Sequence, residues 1–232
     1  AVFPDGGTFG TIGGGGLEKK VIEDAIIAMK NGSSFTRTYN LAGKDKGGFG
    51  PICGGEASVH VEIIRSPDTI LLCGGGHIAK ALAPMVGALG FNLIVVDERE
   101  QYASKDRFPQ AGKILVARPS DPKIRDLVTP STYIIILTHS HKSDREALKN
   151  IVSTEAAYIG MIGSSKKVNA IMKALKSDGV PAETLGRVHS PVGLDIGAET
   201  PEEIAISILS EIIHVKRKGP LSPISMRMAP RR

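Results

Sequence analysis

The sequence predicts an α/β protein, in which a C-terminal doubly wound parallel sheet follows a small N-terminal α+β domain. Three observations predict it. The runs "TILLC", "FNLIVVD", "KILVA", "TYIIILT" and "AAYIGMI" are apolar on both faces, as a parallel sheet covered by helices requires. Helical segments alternate with these runs from Ile70 onward, which is the rhythm of repeated strand–helix crossovers. Ahead of them stands a single amphipathic helix followed by strands, with "RSPDT" as the seam. The domains are therefore set at 1–65 and 70–218, with a basic tail over 219–232.

In order, "AVF", a turn at Pro4–Gly7 and "TFGTI" predict a hairpin. A helix is expected from about Leu17 to Lys30, with Leu17, Val21, Ala25 and Met29 on one face and Gly32 as its stop. "FTRTYNL" and the alternating run "ASVHVEIIR" read as strands on either side of a glycine-rich loop. In the second domain, Ser143-x-x-Glu146 and Thr200-x-x-Glu203 both have the spacing of a capping box, and Pro201 takes the favoured first helical position. A short last strand is expected at "RVHSP". The final helix, about 201–217, turns Ile204, Ile208, Leu209 and Ile212 inward.

The chain has 232 residues, 41% of them hydrophobic and 23% charged, which are globular values. Its net charge of +5 is local: residues 216–232 carry six Lys/Arg and no acid, and the rest sums to −1. This charge reads as a solvated tail, so nucleic acid is not an expected partner. Tryptophan is absent and aromatics make up 4%, too few for a base-stacking surface. No long apolar run predicts a membrane span. Cys53 and Cys73 form no Cys-x-x-Cys pair, and the expected location is the cytoplasm.

Two glycine clusters carry the chemistry. Gly74-Gly75-Gly76-His77-Ile78-Ala79 follows a strand, opens a helix and fits G-x-G-x-x-A, the fingerprint of a dinucleotide-binding Rossmann turn. Gly74 makes the tight turn, Gly76 lets backbone N–H groups approach a phosphate, and Ala79 keeps helix and strand close. Asp97 ends the next strand about twenty residues on, where a carboxylate binds a ribose hydroxyl. Arg99 suits a 2′-phosphate instead, so NAD and NADP both stay open. His139 and His141 in "THSHKSD", with Asp144, read either as polar lining of the crevice or as part of a metal site. "YIGMIGSSKK" sets Gly163 and Ser164 before a helix whose first turn carries Lys166 and Lys167, either for an anion or as exposed lysines. Asp195 sits in a glycine turn. The other cluster, "GTIGGGGLE", reads either as an anion nest, awkward beside Glu18, or as close backbone packing. Cys53, flanked by glycine, reads as an accessible thiol, nucleophile or soft-metal ligand, and Cys73 as core.

The segments "GTIGGGGLE", "CGGEASVHVE", "GGGHIAKAL", "VVDERE", "RFP", "THSHKSD", "YIGMIGSSKK" and "PVGLDIGAETPEEIAISILSEI" follow one another as in the XdhC/CoxI family, which the chain resembles up to about Lys218. That resemblance implies an accessory protein for xanthine dehydrogenase-type molybdenum hydroxylases, without turnover of its own. Such a protein binds molybdenum cofactor, supports its sulfuration by a cysteine desulfurase, and hands it to the apo-hydroxylase. On this reading the cofactor lies between two glycine-rich walls. Gly13, Gly14, Gly15, Cys53, Gly54 and Gly55 form one wall, with Cys53 at the molybdenum. Gly74, Gly76, His77, Asp97, Arg99, His139, Gly163, Ser164 and Asp195 form the other. Family members begin with a helix and a "GSxPR"-like segment that this chain lacks, so the first domain is expected to be truncated and its apolar edge leaves a homodimer open. The competing readings are an NAD(P)-dependent oxidoreductase, for which no clear proton donor stands out, and a nucleotide-sensing module.

Overall fold

The computed structural model describes residues 1–41, 55–64 and 67–217. They divide into two compact units, Ala1–Ser66 and Pro67–Arg232.

In the first unit, helix α1 (Gly15–Asn31) is followed by strands β1 (Phe35–Asn40) and β2 (Glu56–Val61), paired antiparallel from Phe35↔Val61 to Asn40↔Glu56. Gly32 ends α1 in the left-handed conformation, its N–H returning to the carbonyls of Ala28 and Met29. The helix buries Val21, Ala25 and Ala28, and with them Asp24. That carboxylate ties α1 to β1: it accepts from Tyr39 Oη at 2.8 Å and from Arg37 Nη1 at 2.6 Å. Burial alone would raise the Asp24 pKa, but the bonds from Tyr39, Arg37 and Lys20 bring it below the ordinary range. Burial, reinforced by Asp24, pushes the Tyr39 phenol up to about 12. The expected N-terminal hairpin forms in short: Val2 and Thr8 bridge antiparallel, Phe3 N donates to Gly7 O at 2.8 Å and Phe9 N to Ala1 O at 2.9 Å, and Gly6 N closes the turn on Phe3 O at 2.9 Å. Gly6 takes a positive φ within the turn, and Gly10 and Gly13, also at positive φ, end the extended backbone beyond Phe9.

The second unit holds β3 (Thr69–Cys73), α2 (His77–Ala88), β4 (Asn92–Asp97), β5 (Lys113–Val116), β6 (Thr132–Ile136), α3 (His141–Ile151), β7 (Tyr158–Met161), α4 (Ser165–Ser177), α5 (Ala182–Gly186), β8 (Val188–His189) and α6 (Pro201–Lys216). The strands form one parallel sheet in the order β5-β4-β3-β6-β7-β8. This is the doubly wound, Rossmann-like architecture predicted from the apolar runs. Alternate residues of each central strand feed opposite cores. Ile70, Leu72, Tyr133 and Ile135 pack with residues of α2 and α6, whereas Leu71, Cys73, Ile134 and Ile136 pack with α3 and α4. Each core lies between the sheet and one helix layer, so both faces of β3 and β6 are dry.

Helix α6 starts with the expected capping box, Thr200 with Glu203, and Pro201 in its first turn. Helix α3 differs. Its cap is Ser140, whose Oγ accepts from Ser143 N at 3.1 Å, and Ser143 lies inside the first turn. The helix therefore begins three residues before the box expected at Ser143-x-x-Glu146. Because β3 and β6 are neighbours from which the chain winds in opposite directions, their C-terminal ends open the crevice where α/β proteins hold ligands.

Candidate functional site

The loop after β3 is shaped by close approach. Gly74 has φ +122°, and a Cβ there would lie 2.3 Å from the Leu137 carbonyl oxygen. A Cβ on Gly75 would lie 1.9 Å from the Tyr102 carbonyl oxygen. Gly75 is thus pressed against the chain's own segment 99–108. Gly76 is different: it precedes α2 with no side-chain cap, and a Cβ there meets nothing within 4 Å. His77 follows, exposed, and Ala79 is buried in the core as the fingerprint requires.

Arginines strap this turn. Arg107 donates from Nε to Gly75 O at 2.7 Å and from Nη2 to Gly76 O at 3.2 Å. Its guanidinium lies 5.1 Å from the Tyr102 ring centroid, and that of Arg99 3.8 Å from the same ring. Arg99 also grips Asp97 with both arms, Nε to Oδ1 and Nη2 to Oδ2, each at 2.9 Å. Gly75 N and Arg99 N add two further bonds, at 2.8 and 3.0 Å. Burial works to raise the Asp97 pKa, and these donors overcome it, so the carboxyl stays below its ordinary range. With four donors on two oxygens, Asp97 holds the glycine turn and Arg99 in register and has little capacity left for a ribose diol.

Gly74, Asp97 and His139 meet at a recess between the ends of β3, β4, β5 and β6, with Cys73, Ala117 and Thr138 also lining it. It encloses about 10 Å³ of free space, room for one water. The Cys73 thiol is pushed up to about 12, first by complete burial and then by the charge of Asp144. Cys73 is therefore a core thiol and not a nucleophile.

On the other side of the switch point, the first turns of α3 and α4, which follow β6 and β7, are joined by an ion pair between Asp144 and Lys167. Asp144 is fully buried; its Oδ1 accepts from Thr138 N at 3.0 Å and Thr138 Oγ1 at 2.6 Å, while its Oδ2 faces only the Lys167 ammonium. Gly163 gives Lys167 passage, since a Cβ there would lie 2.8 Å from Lys167 Cδ. Lys167 is thus neutralised internally, and Asp144 faces it. His139 is exposed, with Nε2 3.8 Å from Glu98 Oε1. Among the described residues no group of three His, Cys, Asp or Glu is placed to hold a metal. Ser164 caps α4. Asp195 is exposed on the loop between β8 and α6.

The first glycine cluster is filled from within. Glu18 accepts from Gly14 N at 2.8 Å, Ile12 N at 3.1 Å and Thr11 Oγ1, and these bonds hold its pKa down. The nest built by Gly13, Gly14 and Gly15 thus receives a carboxylate of its own helix. The close-packing alternative fails, because a Cβ on any of the three meets nothing within 4 Å; their positive φ is what demands glycine. Gly55, also at positive φ, accepts from Leu41 N at 2.8 Å. Cys53 and Gly54 lie outside the described residues.

Arg107 and Glu211 also hold the structure around these loops, though no motif marks their roles. Glu211, buried on α6, accepts from Tyr158 Oη at 2.5 Å and Gly193 N at 2.8 Å, and its Oε1 lies 3.2 Å from His189 Nδ1. Its spacing from Ile208 and Ile204 already put it on the apolar face of the helix, the one available signal. Arg107 had none beyond its place in "RFP".

A parallel sheet wound both ways from a glycine turn defines a Rossmann-type binding protein, and comparison with known proteins narrows that class. The XdhC Rossmann domain matches residues 70–212, and the XdhC and CoxI family matches residues 1–40. The chain belongs to the XdhC and CoxI family. It is 35% identical over 220 residues to YqeB, an uncharacterized protein of Escherichia coli K12, covering 94% of this chain and 40% of that one. It is 31% identical over 161 residues to a probable xanthine dehydrogenase subunit from Bacillus subtilis, covering 69% of this chain and 47% of that one. The chain thus spans less than half the length of either curated relative. A crystal structure described as a xanthine dehydrogenase from Bacillus halodurans shares the fold, with a TM-score of 0.59 at 22% identity over 97% of this chain and 86% of the other. Among the described residues no helix is long and apolar enough to cross a membrane.

Proposed function

We propose that this chain is an accessory protein of a xanthine dehydrogenase-type molybdenum hydroxylase. On this reading it binds molybdenum cofactor and delivers it to the apo-hydroxylase, with a cysteine desulfurase as partner for sulfuration. The observation that carries the reading is the glycine turn. Gly76 opens α2 with no side-chain cap and with free space where a Cβ would stand, while Arg107 holds the carbonyls of the turn. A helix start of this kind accepts a phosphate through its backbone N–H groups. The pterin phosphate fits that cradle, and the cofactor supplies redox chemistry only once it reaches the hydroxylase. Cys53 is the proposed soft ligand for the molybdenum end. The saturated Asp97 favours this cargo over NAD, whose ribose diol would have to displace Arg99 or the Gly75 N–H.

The test is anaerobic incubation with freshly released cofactor, gel filtration, and assay of molybdenum and oxidised-pterin fluorescence in the protein peak. Near-stoichiometric retention is expected, with loss of both signals in Gly76→Ala and loss chiefly of molybdenum in Cys53→Ser. Binding of NADPH without pterin retention would replace this reading with the nucleotide-sensing one. Substrate-dependent hydride transfer would replace it with the oxidoreductase.

A further inference from the structure

Away from the glycine turn, helices α3 and α4 enclose an open groove with about 530 Å³ of free space. Lys142 and Arg145 line it from α3, and Lys166 and Lys167 from α4; no acidic side chain lines it. Two of the four cations are compensated. Arg145 Nη2 lies 2.7 Å from Asp178 Oδ2, and Lys167 pairs with the buried Asp144. Lys142 and Lys166 are exposed and have no carboxylate partner among the described residues. The groove's apolar lining comes from α4, from the buried Ile171 and from Ala170 and Ala174. With Lys166 the two alanines recur every four residues, one stripe along roughly 12 Å of helix. A single-sign groove with apolar walls focuses its field on an incoming anion. Small lining residues let a second chain approach closely.

We infer that this groove is the docking surface for an acidic amphipathic segment of the client hydroxylase, an inference that rests on the accessory-protein reading. The charge pattern selects the occupant: one uncompensated lysine on each helix lines the groove together with apolar residues, so a matching segment carries carboxylates beside an apolar strip. The groove is open along its length and is not closed around one group, which suits a polypeptide over a lone phosphate. Its cations also do a different job from the turn after β3. There the arginines are spent on the protein's own backbone and on Asp97, whereas Lys142 and Lys166 face outward.

The experiment measures binding of the purified chain to purified apo-xanthine dehydrogenase from the same organism, at low and high salt, with cofactor retention followed in parallel. Lys142→Glu/Lys166→Glu is compared with wild type and with Lys113→Glu/Lys123→Glu, a matched charge reversal elsewhere on the surface. Circular dichroism confirms that each variant is folded. The groove variant is expected to bind about tenfold more weakly or worse, with a shallower salt dependence, full cofactor retention and a control close to wild type. Three outcomes overturn the inference: groove-variant affinity equal to the control's, lost cofactor retention with hydroxylase binding intact, which would make the groove a small-anion site, or no hydroxylase binding by the wild type. Failure of the wild type to retain cofactor instead strikes the accessory reading itself, so the two failures are separable.

Discussion

Three adjacent glycines in the turn after β3 have three different reasons to be glycine, and only one of those reasons concerns a ligand. Gly74 combines positive φ with a carbonyl 2.3 Å from where its Cβ would lie. Gly75 is blocked by the backbone of Tyr102, whose ring packs against the guanidinium groups of Arg99 and Arg107. Gly76 faces open space at negative φ. Gly75→Ala is therefore expected to displace segment 99–108 and cost about 1–3 kcal/mol, as overpacking does. Gly76→Ala is expected to leave the denaturant midpoint almost unchanged. Urea titrations of both variants check this, and equal destabilisation would show that Gly76 is structural too. The pattern G-x-G-x-x-A was legible in the sequence. What filled the space beside Gly75 was not, because Tyr102 arrives from a loop 27 residues downstream with no periodicity to announce it. Asp97 illustrates the same limit. Its position at the end of β4 could be read from spacing, but the four donors that occupy it come from Arg99 and Gly75 in a geometry that spacing does not encode.

At the scale of elements, the strands were the legible part, because apolar runs buried on both faces leave little freedom in where they lie. β3 falls on "TILLC" residue for residue, and β4 to β7 fall within their runs. Helix starts were less legible wherever several capping residues compete. "THSHKSD" offers Thr138, Ser140 and Ser143, and the chain uses Ser140 to cap α3 while Ser143 donates its N–H to that cap. Thr138 is drawn away by Asp144, a partner whose burial cannot be read from the local sequence. The cap assignment is testable. Ser140→Ala is expected to destabilise by about 1 kcal/mol, the usual worth of such a cap, and Thr200→Ala at the head of α6 by a similar amount. Chemical denaturation of the two variants reads this out. A neutral Ser140→Ala would mean that the bonds from Thr138 to Asp144, and not the cap, fix the start of α3. The N-terminal hairpin was legible from its turn at Pro4–Gly7, but its second arm stops at Phe9, because Gly10 and Gly13 at positive φ interrupt the extended backbone.

At the scale of the whole second unit, Glu211 connects parts of the chain that are far apart in sequence. It sits on α6, accepts from Tyr158 on β7 and from Gly193 in the loop after β8, and faces His189 on β8. Ser207, one turn earlier, donates to Leu194 O at 2.6 Å, so α6 holds that loop at two points. This fixes the far edge of the sheet, where β8 is only two residues long and makes little pairing of its own. The carboxyl is buried, which on its own would raise its pKa, but the bonds from His189, Tyr158 and Gly193 bring it below the usual glutamate range. The sign for stability follows from that depression. The unfolded chain binds a proton at Glu211 at higher pH than the folded one does. The contribution is therefore complete above the ordinary glutamate pKa of about 4.3 and is lost as pH falls through the lower folded value. Glu211→Gln keeps the shape but replaces one accepting oxygen with a donor, leaving one of these partners unmatched. At neutral pH it is expected to cost about 1–3 kcal/mol. Below the glutamate range its stability should fall less steeply than that of the wild type, so the two curves converge in acid. Urea unfolding from neutral pH downward measures both effects. Parallel curves would mean that Glu211 has the same pKa folded and unfolded, so that its bonds do not favour the carboxylate over the acid.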